Sequence, residues 1–133
     1  IGQLAQKRPG TSLLSRGNHE RALASIDLGR GDLVVIFDNP PYEPSSLALA
    51  KLCKDRACRV LLITDQGTSP IGPLADLTLR TSMVPLSGGD SLVPVFAVID
   101  ELMITLADQL GRRASNNTKQ VSDALHRLRR QLD

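Results

Sequence analysis

The sequence predicts an α/β protein, a three-layer αβα sandwich in which helices cover a parallel sheet. Three observations lead there. Leu33-Val34-Val35-Ile36-Phe37 is an unbroken apolar run rich in β-branched residues, as suits a strand covered on both faces. A second such run, Val60-Leu61-Leu62-Ile63, follows a stretch of helical periodicity. Each run ends in a polar loop, and strands alternate with helices along the chain, the pattern of a parallel sheet with right-handed crossovers.

Taken in order, residues 1–7 read as the end of a helix stopped by Pro9-Gly10. Residues 11–14 read as a short strand, and 15–18 as a turn in which Asn18 caps a helix over 19–28. Ala22, Leu23 and Ile26 make the inward stripe of that helix, and Gly29-Arg30-Gly31 ends it. The strand at 33–37 is the centre of the arrangement. A tight polar turn carries it into a helix over 45–56, which Ser45 and Ser46 can cap. Leu49, Leu52 and Cys53 recur at helical spacing there, while Lys51, Lys54 and Asp55 stay outside. The strand at 60–63 opens into Thr64-Asp65-Gln66-Gly67-Thr68-Ser69-Pro70, a second polar loop. One helical turn over 70–75 and an alternating edge strand at 77–80 come next.

Residues 82–89 read as a loop. Asp90 then caps the most regular helix, whose stripe runs Leu92, Val95, Phe96, Ile99, Leu102, Met103, Leu106 and Leu110. Pro94 falls in its first turn, where a missing amide hydrogen does little harm, and Gly111 stops it. Residues 112–118 read as a polar linker. A last helix over 119–132 places Val121, Ala124, Leu125, Leu128 and Leu132 on one face.

The 133 residues make one domain or a large part of one. The aromatic content of 2% leaves the core to Leu, Val, Ile and Ala and argues against base stacking on single-stranded nucleic acid. A net charge of +2 supplies no general drive toward nucleic acid. Arg127, Arg129 and Arg130 read as a solvated face opposite the Leu125/Leu128 stripe, and His19 and His126 as surface residues. The apolar runs fall far short of the roughly 20 residues that span a bilayer. The start is no signal peptide, so a cytoplasmic location is expected, and the absence of an initial Met suggests a piece of a longer chain. Cys53 and Cys58 are not spaced as CxxC and have no His/Cys cluster nearby, so they read as free, buried thiols and not as metal ligands.

Three stretches resemble the sugar isomerase (SIS) domain, in the form found at the C-terminal end of RpiR/MurR-type bacterial transcription regulators. Gly31 to Phe37 with Pro40, Tyr42 and Ser46-Leu47 looks like that family's strand and phosphosugar loop. Arg59 to Asp65, then Ser69-Pro70 and Leu74-Ala75-Asp76, looks like its next strand and loop. Asp90-Ser91-Leu92 opening a long apolar helix is the third. The resemblance implies a flavodoxin-like or Rossmann-like doubly wound sheet over residues 1–133, N-terminally truncated and lacking the family's first strand. It implies a domain of a regulator that binds a sugar derivative and forms homo-oligomers. DNA contact would be left to a separate N-terminal helix-turn-helix domain that this stretch does not contain. No cofactor, no membrane and no catalysis are implied. A sugar-phosphate isomerase on the same fold, and a degenerate domain kept for dimerisation, are the alternatives.

Ligands in open α/β sheets bind beyond the carboxyl ends of the strands. That places Asp38, Asn39, Tyr42, Glu43, Ser45, Ser46, Thr64, Asp65 and Ser69 as ligand-binding candidates. Asp65 and Ser69 also suit a role in shaping their loop. Matched to the family, Asp38 stands where Ser is usual, Pro41 where Gly or Arg is common, and Glu43 where Ser or Thr is usual, while Ser46 keeps a hydroxyl. Asp38 and Glu43 lack a convincing partner base or nucleophile, so they do not read as an acid/base pair. Two like charges about 4 Å apart repel by about 4 kcal/mol at an effective dielectric of about 20. The expectation is weak binding of simple sugar phosphates and preference for a neutral, amino-bearing or otherwise cationic ligand, or for none.

Overall fold

The computed structural model describes residues 10–14, 17–65, 68–82, 84–86 and 89–129. The readings made for 1–7, for Ser15 and Arg16, and for Arg130 and Leu132 lie outside them. Residues 14–96 form one compact unit, and the chain from Ala97 onward belongs to a second.

The first unit is built on three parallel strands, β1 (Leu33–Phe37), β2 (Arg59–Thr64) and β3 (Leu77–Arg80), in the order β1-β2-β3. Val35 lies opposite Leu61, and Leu61 opposite Leu77. Two helices precede β2: α1 (Asn18–Ala24) and α2 (Pro44–Asp55). One face of the sheet carries Val34, Ile36, Val60 and Leu62, and it packs with Ala50 and Cys53 of α2, with Cys58 and with Ile71. Val60, Leu62 and Ile71 are fully buried. Each such side chain contributes roughly 1.5–3 kcal/mol through removal from water. Cys53 and Cys58 are both free and buried, as expected, and burial pushes the Cys53 thiol up to about 11.

The other face carries Val35, Phe37, Leu61, Ile63, Leu77 and Leu79. Its centre is buried, but Leu33, Phe37 and Leu77 are 59%, 48% and 58% exposed. The expectation that the 33–37 strand is covered on both faces therefore fails. Its residues alternate exposed and buried because α2 covers the face that carries Val34 and Ile36 while the face that carries Leu33, Val35 and Phe37 stays open; β1 is also the edge of the sheet, with no strand beyond it among the described residues.

Polar side chains hold the ends of these elements. Asp76 accepts from the Val60 amide (2.7 Å) and pairs with Lys54 Nζ (2.8 Å), tying α2 to the start of β2 and the approach to β3. The Lys54 and Val60 hydrogen bonds hold its carboxyl below the usual range. Helix α2 closes with Cys58 N donating to Cys53 O (2.9 Å) and Ala57 N to Lys54 O (3.0 Å). That leaves Ala57 at φ +58°, in the left-handed region where glycine is usual.

Several expectations are corrected. Thr11 to Leu14 is not a strand, since it joins no ladder. Helix α1 follows Gly17, so Asn18 is its first residue and not its cap, and it ends at Ala24 instead of 28. There Ser25 Oγ donates back to Ala22 O (2.8 Å), and the Arg56 guanidinium takes the Ser25 and Ile26 carbonyls that a longer helix would use internally. Glu43, not a serine, precedes α2; Pro44 opens it, and Ser45 and Ser46 lie inside its first turn. The 82–89 loop contains part of an antiparallel pair, β4 (Val84–Leu86) with β5 (Gly89–Ser91). Asp90 is a strand residue, so the cap of α3 (Val93–Leu110) falls to Ser91, whose Oγ accepts the Val93 amide at 3.3 Å. The linker at 112–118 is helical: α4 runs Arg112–Arg129. Its polar residues include neither Pro nor Gly, and Gly111 at φ +50° turns the corner between the helices.

Candidate functional site

The loops leaving the carboxyl ends of β1 and β2 meet through side chains, all within the first compact unit. Asp38 follows β1 directly, and its amide donates to Ile63 O (3.1 Å), extending the β1–β2 ladder by one residue. This fixes the direction of its carboxylate, which is 3% exposed and accepts a hydrogen bond from Ser69 Oγ at 2.5 Å. Ser69 in turn accepts the Ile71 amide at Oγ (3.2 Å) and the Gly72 amide at its carbonyl (3.0 Å). Thr64, the last residue of β2 and fully buried, donates from Oγ1 to the Asp38 carbonyl (2.6 Å) and stands 3.3 Å from Asp65 Oδ1. The Thr64 carbonyl receives the Thr81 amide at 2.8 Å, which brings the end of β3 into the same arrangement.

The open side is assembled differently. Tyr42 Oη lies 3.2 Å from Asp65 Oδ1 and 2.8 Å from Thr68 Oγ1, bridging the two loops. Among the described residues, Asn39 Oδ1 is buried without a hydrogen-bond partner. The Pro40–Pro41 peptide bond is cis. The exposed Glu43 receives Ser45 Oγ at Oε2 (3.3 Å), and Arg21 Nη1 of α1 donates to the same Ser45 Oγ at 2.8 Å. The Ser46 amide is turned back to the Glu43 carbonyl (3.0 Å).

The nine candidates thus fall into two sets. Asp38, Thr64 and Ser69 form a buried stitch between strand ends. Asn39, Tyr42, Glu43, Ser45, Ser46 and Asp65 form the rim around it. Asp38 and Glu43 bind different hydroxyls, so they are not a shared acid/base pair, and of the two only Glu43 meets solvent. Three backbone donors are missing from the rim, because Pro40, Pro41 and Pro44 have no amide hydrogen, and the Tyr42 and Ser45 hydroxyls donate to the Asp65 and Glu43 carboxylates. Arg21, Thr68 and Thr81 were missed from the sequence. Arg21 comes from an earlier helix, and nothing in its spacing links it to Ser45. Among the described residues no cluster of His, Cys, Asp and Glu suits a metal ion. Nor is any helix among them long and apolar enough to cross a membrane. A cleft of about 500 Å³ between the end of α3 and the start of α4 is lined by none of the candidate residues.

Residues 17–107 match the SIS-domain family. The sugar isomerase domain of an RpiR transcription factor from Sphaerobacter thermophilus superposes with a TM-score of 0.83 at 21% identity, over 92% of this chain and 68% of that one. The Vibrio vulnificus NanR protein, solved in complex with ManNAc-6P, gives 0.77 at 19% identity, over 96% of this chain and 49% of that one. A candidate phosphosugar isomerase of Bacillus subtilis gives 0.61 at 10% identity, over 97% of this chain and 41% of that one. No curated protein sequence matches. The chain spans about two fifths to two thirds of the length of these neighbours, and at such identities they speak for the fold. The family match covers well over half of the residues, and on that ground the chain belongs to the SIS-domain family.

Proposed function

We propose that this chain is the sugar-derivative-sensing and oligomerising domain of a bacterial RpiR/MurR-type transcription regulator, acting in the cytoplasm without catalysis of its own. Contact with DNA then belongs to a separate domain. The observation that carries the reading is the Tyr42 bridge to Asp65 and Thr68. It holds two loops side by side at the carboxyl ends of β1 and β2, where open α/β sheets take ligands. A ligand that engages Tyr42 or Asp65 changes how these loops are joined, which is what a sensor requires. The NanR neighbour, solved with a sugar phosphate, supports the choice of ligand class.

The rim argues for a particular kind of sugar derivative. A phosphate needs amide and hydroxyl donors, and here prolines remove amides while the Glu43 carboxylate stands at the head of α2. Arg21 offsets part of that through Ser45. The reading is a ligand that brings its own donors, a neutral or amino-bearing sugar, with simple sugar phosphates bound weakly. Asn39, Tyr42, Glu43, Ser45, Ser46 and Asp65 would touch it, while Asp38, Thr64 and Ser69 support them from beneath. Calorimetry against a panel of sugar phosphates and amino sugars is the test. Glu43→Thr should tighten sugar-phosphate binding at least tenfold if its charge is the obstacle. Micromolar binding of a sugar phosphate to the unaltered protein would defeat the charge argument, and no binding by any sugar of the panel would defeat the sensor reading.

A further inference from the structure

We propose that Cys53 and Cys58 are an oxidisable dithiol, which hydrogen peroxide converts to a disulfide within one chain at the C-terminal end of α2. The Cys58 amide donates to the Cys53 carbonyl at 2.9 Å and the Ala57 amide to the Lys54 carbonyl at 3.0 Å, with Ala57 at φ +58°. In this helix ending, the side chain third from the end of the helix meets the one two places past its cap. Here those two residues are Cys53 and Cys58. With ordinary covalent geometry on either side of it, the 2.9 Å bond holds their Cα atoms within about 6.8 Å, inside the span of a disulfide. Both thiols also lie in one apolar cluster with Val34, Ile36, Val60 and Leu62, at 0% and 3% exposure. The spacing is not that of CxxC; the left-handed turn at Ala57 is what brings two cysteines five residues apart together.

Peroxide is little larger than water, and a helix end opens locally at small cost, so burial slows the reaction without closing it. The first attack falls to Cys58, which stands between the exposed Ala57 and Arg59. Its sulfur takes one peroxide oxygen: an S–O bond forms, the O–O bond breaks, and water leaves with the thiol proton. Cys53 then attacks the sulfenic sulfur: the S–S bond forms, the S–O bond breaks, and a second water leaves with the other thiol proton. The two thiols give up two electrons and one peroxide is reduced to two waters. Burial, and then the charge of Cys58, push the Cys53 thiol up to about 11, which keeps it protonated near neutral pH and suits it to the second step. The closed ring encloses Lys54, which holds Asp76, and Arg56, which holds the Ser25 and Ile26 carbonyls. Oxidation therefore bears on the end of α1 and the approach to β3 as well as on α2. In the reducing cytoplasm of the proposed function such a pair stays open until oxidant rises, so it serves as a peroxide-sensitive clasp and not as a permanent staple.

The unaltered protein serves for the test. Trypsin cuts after Lys51, Lys54, Arg56 and Arg59, so the disulfide leaves residues 52–54 joined to 57–59, a pair that mass spectrometry identifies and dithiothreitol separates. Folded protein treated with hydrogen peroxide should yield this pair and lose both thiols titratable in urea, at a rate independent of protein concentration. Amide exchange at Ala57 and Cys58 should be slower in the oxidised form, because the ring closes over the hydrogen bonds they make. Both thiols still titratable after treatment overturns the proposal. So does sulfinic acid at Cys58 with Cys53 intact, or a disulfide that forms only in urea. Faster exchange at Ala57 and Cys58 would show that the bond forms by breaking the helix ending, and overturns the preformed pairing. In Cys53→Ser, dimedone should trap a sulfenic acid on Cys58, whereas in Cys58→Ser it should leave Cys53 unlabelled; the reverse pattern overturns the order of attack.

Discussion

Ser69 Oγ is the only recorded hydrogen-bond partner of the Asp38 carboxylate among the described residues, and both side chains are almost fully buried. Ser69→Ala leaves a buried carboxylate unpartnered and should cost about 1–3 kcal/mol. Urea denaturation measures it, and a loss below a few tenths would show the pair to be solvated. The companion case has the opposite sign. Ala57 sits at φ +58° and exposed, with only a methyl group to lose. Ala57→Gly should therefore stabilise the protein by about 1 kcal/mol, read as a rise in the urea midpoint with an unchanged slope. Neither position announced itself by residue type. An Asp after a strand usually reads as a site residue, and an Ala near a helix end as filler.

At the scale of elements, α2 is held at its C-terminal end by two titratable groups with opposite behaviour. Asp76 is held below the ordinary carboxylate range, foremost by Lys54 and then by the Val60 amide. Its contribution is present above the ordinary carboxyl pKa and is lost as pH falls through the lowered folded value. Cys53 is raised to about 11, foremost by burial and then by Cys58. Its contribution is present below the ordinary thiol pKa and is lost as pH rises from there to about 11. Stability against pH should thus fall at both ends. Asp76→Asn should flatten the acid limb and Cys53→Ala the alkaline one, each leaving the other limb unchanged. Chemical denaturation across pH checks this, and an acid limb unaltered in Asp76→Asn would show the Lys54 contact to be without weight.

For the whole molecule, the exposed outer edge of β1 carries the argument. Leu33 and Phe37 are about half exposed on a strand with no neighbour on one side among the described residues. Open apolar edges of parallel strands leave amides without ladder partners and expose surface that a complete sheet covers. The isolated 133 residues should therefore melt broadly and bind a hydrophobic dye, while a longer chain that supplies a further strand should melt sharply. Calorimetry compares the two. A single cooperative transition of the isolated monomer would show that β1 tolerates its open edge.

The sequence by itself determined the order and type of the main elements. The apolar runs of β1 and β2, the alternation of β3 and the stripes of α2 and α3 are local patterns whose period states the secondary structure directly. The residues that resemble the SIS domain are also contiguous, so their order and spacing could be read without coordinates. What only the tertiary structure decided depends on groups distant in the chain. Arg56 shortens α1 by taking carbonyls some thirty residues earlier. Asp38 is turned from a presumed ligand contact into a buried support by Ser69, and Tyr42 becomes a bridge through Asp65 and Thr68. The polar stretch that opens α4 carried no apolar period to mark it, yet helix propensity and the Gly111 corner suffice to extend the helix through it. Burial follows the same division: periodicity tells which residues share a face, but whether that face is covered depends on what packs against it, as the exposed sides of β1 and α4 demonstrate.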